Sequence, residues 1–168
     1  SVEAPECELL RRIRQADLTH TPVGDLGDIP NLTWKDATGA IHVNPLSWVP
    51  DTMDAISMDY AFPMKGVIRD RDFTSYLPTR DWLSYPVCAS LTSRGCKRNC
   101  VTCGGSAYAY KNHLGRRRVA WRDPDLLIRD IGKIQKHVPG PMFVLNDFLM
   151  AGHDYTHQFI TGLKGKLE

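Results

Sequence analysis

The sequence has no apolar run approaching the roughly 18 residues that cross a bilayer, and no segment reads as a signal peptide. A membrane partner is therefore not expected. An excess of charge is also missing: 21 Lys and Arg stand against 19 Asp and Glu, a formal net charge of +2. Bulk electrostatics thus gives no reason to expect nucleic acid or a membrane surface as partner. There is no internal repeat and no low-complexity tract. Cysteines number five, an odd count with three of them bunched, which suits a reducing cytoplasm better than a disulfide framework. What is present is 168 residues with the apolar and charged fractions of a soluble globular protein, enough for one domain with a real core.

Residues 5–17 read as a short amphipathic helix, with Pro5 suited to the first turn and Leu9, Leu10 and Ile13 forming an apolar stripe. Such a helix is marginal alone, so packing on an upstream element is expected. Residues 18–30, with Gly24, Gly27, Pro22 and Pro30, read as a loop. Leu32–Lys35 and Ala40–Val43 flank Asp36-Ala37-Thr38-Gly39 and predict a β-hairpin. Asn44 to Pro63 is expected to be an extended connector that keeps Trp48, Met53, Ile56 and Met58 as anchors. In residues 66–84, Phe73, Tyr76, Leu77 and Trp82 suggest one apolar face, which Pro78 interrupts.

From Pro86 the pattern becomes regular. Pro86 to Thr92 reads as a short buried strand, with Cys88 as a small buried hydrophobe. The same role is expected for Cys7 on the first helix. A loop of about twenty residues follows, holding Tyr108, Tyr110, His113 and the run Arg116-Arg117-Arg118, for which a solvated face is the ordinary reading and contact with an anionic substrate or a redox partner the functional one. Asp123-Pro124 marks a helix start, an N-cap acid with proline at the first helical position. Leu127, Ile131, Ile134 and Val138 continue it, and Pro139-Gly140-Pro141 stops it. Met142–Leu145 is expected to be a parallel strand covered on both faces, ending at Asn146-Asp147. A further helix starts near Asp154 and carries Phe159, Ile160 and Leu163. This is the rhythm of parallel βα units. Two such units cannot close a barrel, and the chain begins at Ser1 and stops at Glu168 without a closing element, so a piece of a longer protein is expected.

The chemistry-bearing stretch is Cys96-Lys-Arg-Asn-Cys100-Val-Thr-Cys103, preceded by Gly95 and followed by Gly104-Gly105. Its C-x3-C-x2-C spacing lets one short loop offer three thiolates, the usual ligands of an iron–sulfur cluster. The glycines let the backbone turn tightly and approach a ligand. The competing reading is a structural zinc site with Cys88, Cys7 or His113 as fourth ligand, although zinc sites favour C-x2-C pairs.

Ser93 to Cys103, with the preceding strand and the later helix, resembles the cluster motif of the radical S-adenosylmethionine superfamily. Residues 86–147 carry the specific part of the likeness. More loosely, residues 1–84 are similar to the tail, hairpin and connector of the subclass with an amino-terminal cobalamin-binding domain. The resemblance implies an α/β fold holding the first βα units of a partial (β/α) barrel, preceded by a helix, hairpin and extended connector. It divides the chain into an upstream-domain helix remnant (1–20), a hairpin and interdomain connector (21–84) and an incomplete barrel (85–168). It implies a 4Fe-4S cluster on Cys96, Cys100 and Cys103, with S-adenosylmethionine chelating the open iron and cobalamin bound by the upstream domain. Reductive cleavage to a 5′-deoxyadenosyl radical would lead to hydrogen abstraction from an unknown substrate, with methyl transfer or rearrangement as outcomes in that subclass. A flavodoxin or ferredoxin would supply the electron. Gly104, Gly105, Asn146 and Asp147 are the implied S-adenosylmethionine contacts, the last two competing with a capping role at the strand end. One departure is Thr102, where the superfamily commonly has an aromatic residue near the adenine; Val101 or Tyr108 would cover that face instead. His153 and His157, four apart, read as a surface pair, since no glutamate between them completes a zinc-protease motif. Trp34, Trp48, Trp82 and Trp121 are too scattered to form a binding platform.

Overall fold

The computed structural model describes residues 3–57, 61–72, 87–138 and 140–167. They form a mixed α/β structure with three two-stranded sheets and, among the described residues, no closed barrel. The elements in order are α1 (Glu3–Thr19), β1 (Thr33–Lys35), β2 (Ile41–Val43), α2 (Ala61–Asp70), β3 (Cys88–Leu91), β4 (Ser93–Arg94), α3 (Ala107–His113), β5 (Ala120–Trp121), α4 (Pro124–Gln135), β6 (Met142–Leu145), a 3-10 turn (Phe148–Ala151) and α5 (His153–Leu167). No described helix is long and apolar enough to cross a membrane. The chain divides into two compact units, residues 1–51 with 95–118, and residues 52–94 with 119–168.

The first unit is held largely by polar contacts. Helix α1 is longer than the stripe suggests, and Leu10 and Ile13 are exposed. Cys7 is exposed too, which corrects its expected burial. The helix is tied to the following loop by Arg12, which donates to Asp28 Oδ1 at 2.7 Å and to Asp25 O at 3.0 Å. The hairpin forms as expected: β1 and β2 pair antiparallel, Trp34 opposite His42. Its turn depends on Gly39, at φ +93°, and on Asp36 Oδ1, which accepts from the Thr38 and Ala40 amides. Buried Asn44 donates to Leu26 O and Ile29 O at 2.7 and 2.8 Å, holding the loop around Ile29, itself 1 % exposed. Asn31, at φ +61°, exchanges bonds with the Trp48 backbone. Both asparagines satisfy main-chain groups that no strand or helix pairs.

The second unit is built on two parallel strands. Strand β3 pairs with β6 from Cys88 opposite Met142 to Leu91 opposite Leu145. Asp123 caps α4, accepting from the Asp125 and Leu126 amides, with Pro124 behind it. Leu127, Ile128 and Ile131 pack against Phe159 of α5 and on Met142 and Val144, while Ile134 and Val138 cover Cys88. The two helices meet closely at Gly162, where an added Cβ would come 2.6 Å from Ile128 Cδ1. Each fully buried large apolar side chain here stabilises by about 1.5–3 kcal/mol.

Two expectations are corrected in this unit. Among the described residues the strands are covered on one face: Leu91, Phe143 and Leu145 are exposed, because α4 and α5 both lie on the Cys88 and Met142 side. The side chains alternate, as a half-covered sheet requires. The connector also ends earlier than Pro63, because α2 begins at Ala61 and takes Pro63 into its first turn, where a missing N–H costs no bond. The apolar face proposed through Phe73, Tyr76, Leu77 and Trp82 lies outside the described residues, as do Pro86 and Pro139.

Candidate metal centre

The cysteine loop belongs to the first unit and follows β4 directly in sequence. Gly95 opens it, buried and at φ +116°, a conformation that a side chain disfavours. Cys96 is half-buried, and its Sγ accepts the Arg98 amide at 3.3 Å. Two reverse turns follow. The Cys103 amide donates to Cys100 O at 3.3 Å and the Ser106 amide to Cys103 O at 3.2 Å. The end of the loop is then fastened to its beginning. Ala107 N donates to Arg98 O at 2.8 Å and Tyr108 N to Asn99 Oδ1 at 3.1 Å. Ser106 caps α3 through Ala109 N at 3.3 Å. Helix N-termini leave such amides unpaired; here the cysteine loop itself supplies the acceptors.

Helix α3 lies inside the stretch expected to be a loop of about twenty residues. Its signal was Ser106 before Ala107-Tyr108-Ala109-Tyr110, an N-cap followed by two alanines, the best helix formers. Strand β5 was missed as well, being only two residues long. Beyond α3, Gly115 takes φ +64°, and a Cβ there would meet Leu46 O at 3.4 Å. Arg116 is buried and donates through Nη1 to Pro50 O at 2.8 Å. The solvated-run reading therefore holds for Arg117 and Arg118, which are exposed, and is corrected for Arg116.

Cys96, Cys100 and Cys103 are all unbridged, and the last two are exposed. Three soft sulfur donors on eight residues, with the Arg98 amide aimed at one of them, suit a thiophilic metal group: hydrogen bonds to ligand sulfur are among the features that tune such centres. The side chains are not gathered. Among the described residues no three His, Cys, Asp or Glu side chains stand close enough together to hold a metal ion. The structure thus provides the donor set and a fastened loop, without the convergence of the thiols.

The remaining candidates fall elsewhere. Gly104 leaves open space, and a Cβ at Gly105 would make ordinary contacts with Cys103 Sγ and Tyr110, so packing demands glycine at neither position. Val101 and Tyr108 are exposed, and the Tyr108 ring meets His113 edge-on at 6.1 Å. Asn146 and Asp147 sit in the second unit, each with a structural task. Asn146, at φ +74°, donates to Ser93 O at 2.6 Å and Ser93 Oγ at 3.0 Å, and Asp147 caps the 3-10 turn through Leu149 N. Cys88 is 5 % exposed in the core, as expected of it. His153 and His157 are exposed on α5.

The largest polar feature that the sequence did not announce is in the second unit. Arg122 and Asp130, both nearly fully buried, form an ion pair, and Arg122 Nη1 also donates to Met53 O at 2.6 Å. Nearby, Tyr155 donates its hydroxyl to Arg122 O at 2.7 Å. Burial, reinforced by Asp123 and Asp54, pushes that phenol up to about 12. These groups bind one another and backbone carbonyls, so they brace the turn into α4. Compared with protein-family models, curated proteins and solved structures, the chain matches none.

Proposed function

We propose that the chain is part of a radical S-adenosylmethionine enzyme, in which Cys96, Cys100 and Cys103 hold a 4Fe-4S cluster with one iron open to S-adenosylmethionine. The observation that carries the reading is the loop: three unbridged thiols at C-x3-C-x2-C spacing, fastened at both ends by Ala107 N to Arg98 O and Tyr108 N to Asn99 Oδ1. When bound, such a cluster supplies one electron at low potential to a ligand on its open iron. The chain's own contribution is to present the thiols from a short closed loop and to offer the Arg98 amide to Cys96 Sγ. The cysteine loop follows a strand in sequence, and the parallel pairing of β3 and β6 with α4 between them supports the finer fold reading, the first βα units of a partial (β/α) barrel. Cobalamin in an upstream domain, and an electron donor of the flavodoxin or ferredoxin kind, belong to the same proposal through the hairpin and connector likeness.

Anaerobic reconstitution of the full chain with iron and sulfide tests this. The expected product is brown, with about four irons and four sulfides per chain. A colourless protein that instead retains one tightly held zinc would overturn it.

A further inference from the structure

The pair Cys100 and Cys103 has a chemistry of its own. Residues 100–103 form a β-turn, closed by Cys103 N to Cys100 O at 3.3 Å, and such turns keep their end Cα atoms within about 7 Å. Disulfides bridge Cα separations of about 4.4–6.8 Å. Both thiols are exposed and unbridged. The glycines beside the turn stand in open or loosely packed space: a Cβ at Gly104 would meet nothing within 4 Å, and one at Gly105 would lie 3.8 Å from Cys103 Sγ. Cys96 is placed differently, half-buried and with its sulfur taking the Arg98 amide.

We propose that Cys100 and Cys103 form a dithiol–disulfide site that closes under peroxide when the loop holds no metal, with Cys96 remaining a thiol. The ligand role of these cysteines rests on the function proposed above; the disulfide itself does not. One thiolate attacks a peroxide oxygen, breaking the O–O bond and becoming a sulfenic acid as hydroxide leaves and takes up a proton. The second thiol attacks that sulfur, forming the S–S bond and releasing water. Two thiols are thereby oxidised by two electrons, and one peroxide is reduced to two waters. The closed form removes two of the three ligands, so a peroxide-exposed loop takes no metal until a dithiol reduces it.

The sequence makes the test clean. Trypsin cutting after Arg98 and Lys111 releases a peptide that contains Cys100 and Cys103, while Cys96 leaves in Gly95-Cys96-Lys97. The full chain, stripped of metal by a chelator, is treated with hydrogen peroxide, alkylated and digested. The 99–111 peptide is expected to lose two hydrogens and resist alkylation until dithiothreitol is added, while Cys96 is alkylated throughout. A disulfide involving Cys96, or conversion of Cys100 and Cys103 to sulfinic acids without a bridge, overturns the proposal. A bridge forming in a chain that never takes up iron leaves this inference standing and removes the cluster reading. Iron uptake without any bridge does the reverse.

Discussion

The two units are stabilised by different means. The second has a core in the ordinary sense, with Leu127, Ile128, Ile131 and Phe159 in one cluster and Cys88, Ile134 and Val138 in another. The first has Pro5, Ala16 and Ile29 as its buried apolar residues among those described, and relies on Asn44, Asn31, Arg12 and Arg116 reaching carbonyls and carboxylates. Apolar burial is nondirectional and tolerates adjustment. A polar network fixes geometry but loses heavily when one member is removed. The cysteine loop sits in the first unit, where the positions of backbone groups, rather than packed volume, set its shape.

This contrast can be broken by substitution. The largest effect is expected from Asp130→Ala, which leaves the buried Arg122 charge without its partner; such losses cost about 3–5 kcal/mol, read by urea denaturation. Leu127→Ala should cost about 3 kcal/mol through lost burial and a cavity, with amide exchange rising in the second unit. If exchange in residues 1–51 rose equally, the two units would unfold as one body and the contrast would fail. Asn44→Ala should cost about 2 kcal/mol, because Ile29 O loses its side-chain donor and Leu26 O keeps only the Ile29 amide, with faster exchange confined to the first unit.

The smallest effect concerns pH. Hydrogen bonds from Arg11, then Arg12, hold Glu8 down to about 2 from its ordinary value of 4.5. Hydrogen bonding to Arg12 lowers Asp28 as well, and hydrogen bonding to His42 holds Asp36 well below the usual carboxylate range. Carboxylates lowered by folding stabilise fully above their unfolded values, and that contribution is lost as pH falls through the folded ones. The thermal midpoint should therefore drop between about pH 4.5 and 2, with Glu8→Gln flattening part of the slope. Asp28 is exposed and Glu8 and Asp36 are half-buried at the surface, so high salt should weaken the effect, most at Asp28.

The same contrast explains what was legible beforehand. Helix α4 announced itself through Asp123-Pro124 and a helical run of apolar residues, and the hairpin through Gly39; both signals are local. Strand β6 was found, but its open face was not, because a continuous apolar run does not reveal how many layers cover it. The burial of Arg116 depends on Pro50, 66 residues away, and that of Arg122 on Met53, 69 away. No spacing in the sequence encodes such partners. In the candidate site the three cysteines were legible from spacing alone. The capping alternative for Asn146 and Asp147 was legible as well, whereas the acceptor roles of Arg98 O and Asn99 Oδ1, and the bonds from Asn146 to Ser93, came only from the folded chain.

The most direct measurement is iron retained per chain after anaerobic reconstitution of five single variants. Cys96→Ala, Cys100→Ala and Cys103→Ala are expected to lose the cluster, while Cys7→Ala, on the exposed face of α1, and Cys88→Ala, in the core, keep it. Retention of a full cluster by any of the first three, or its loss in a folded Cys88→Ala protein, would contradict a three-cysteine site with an open iron.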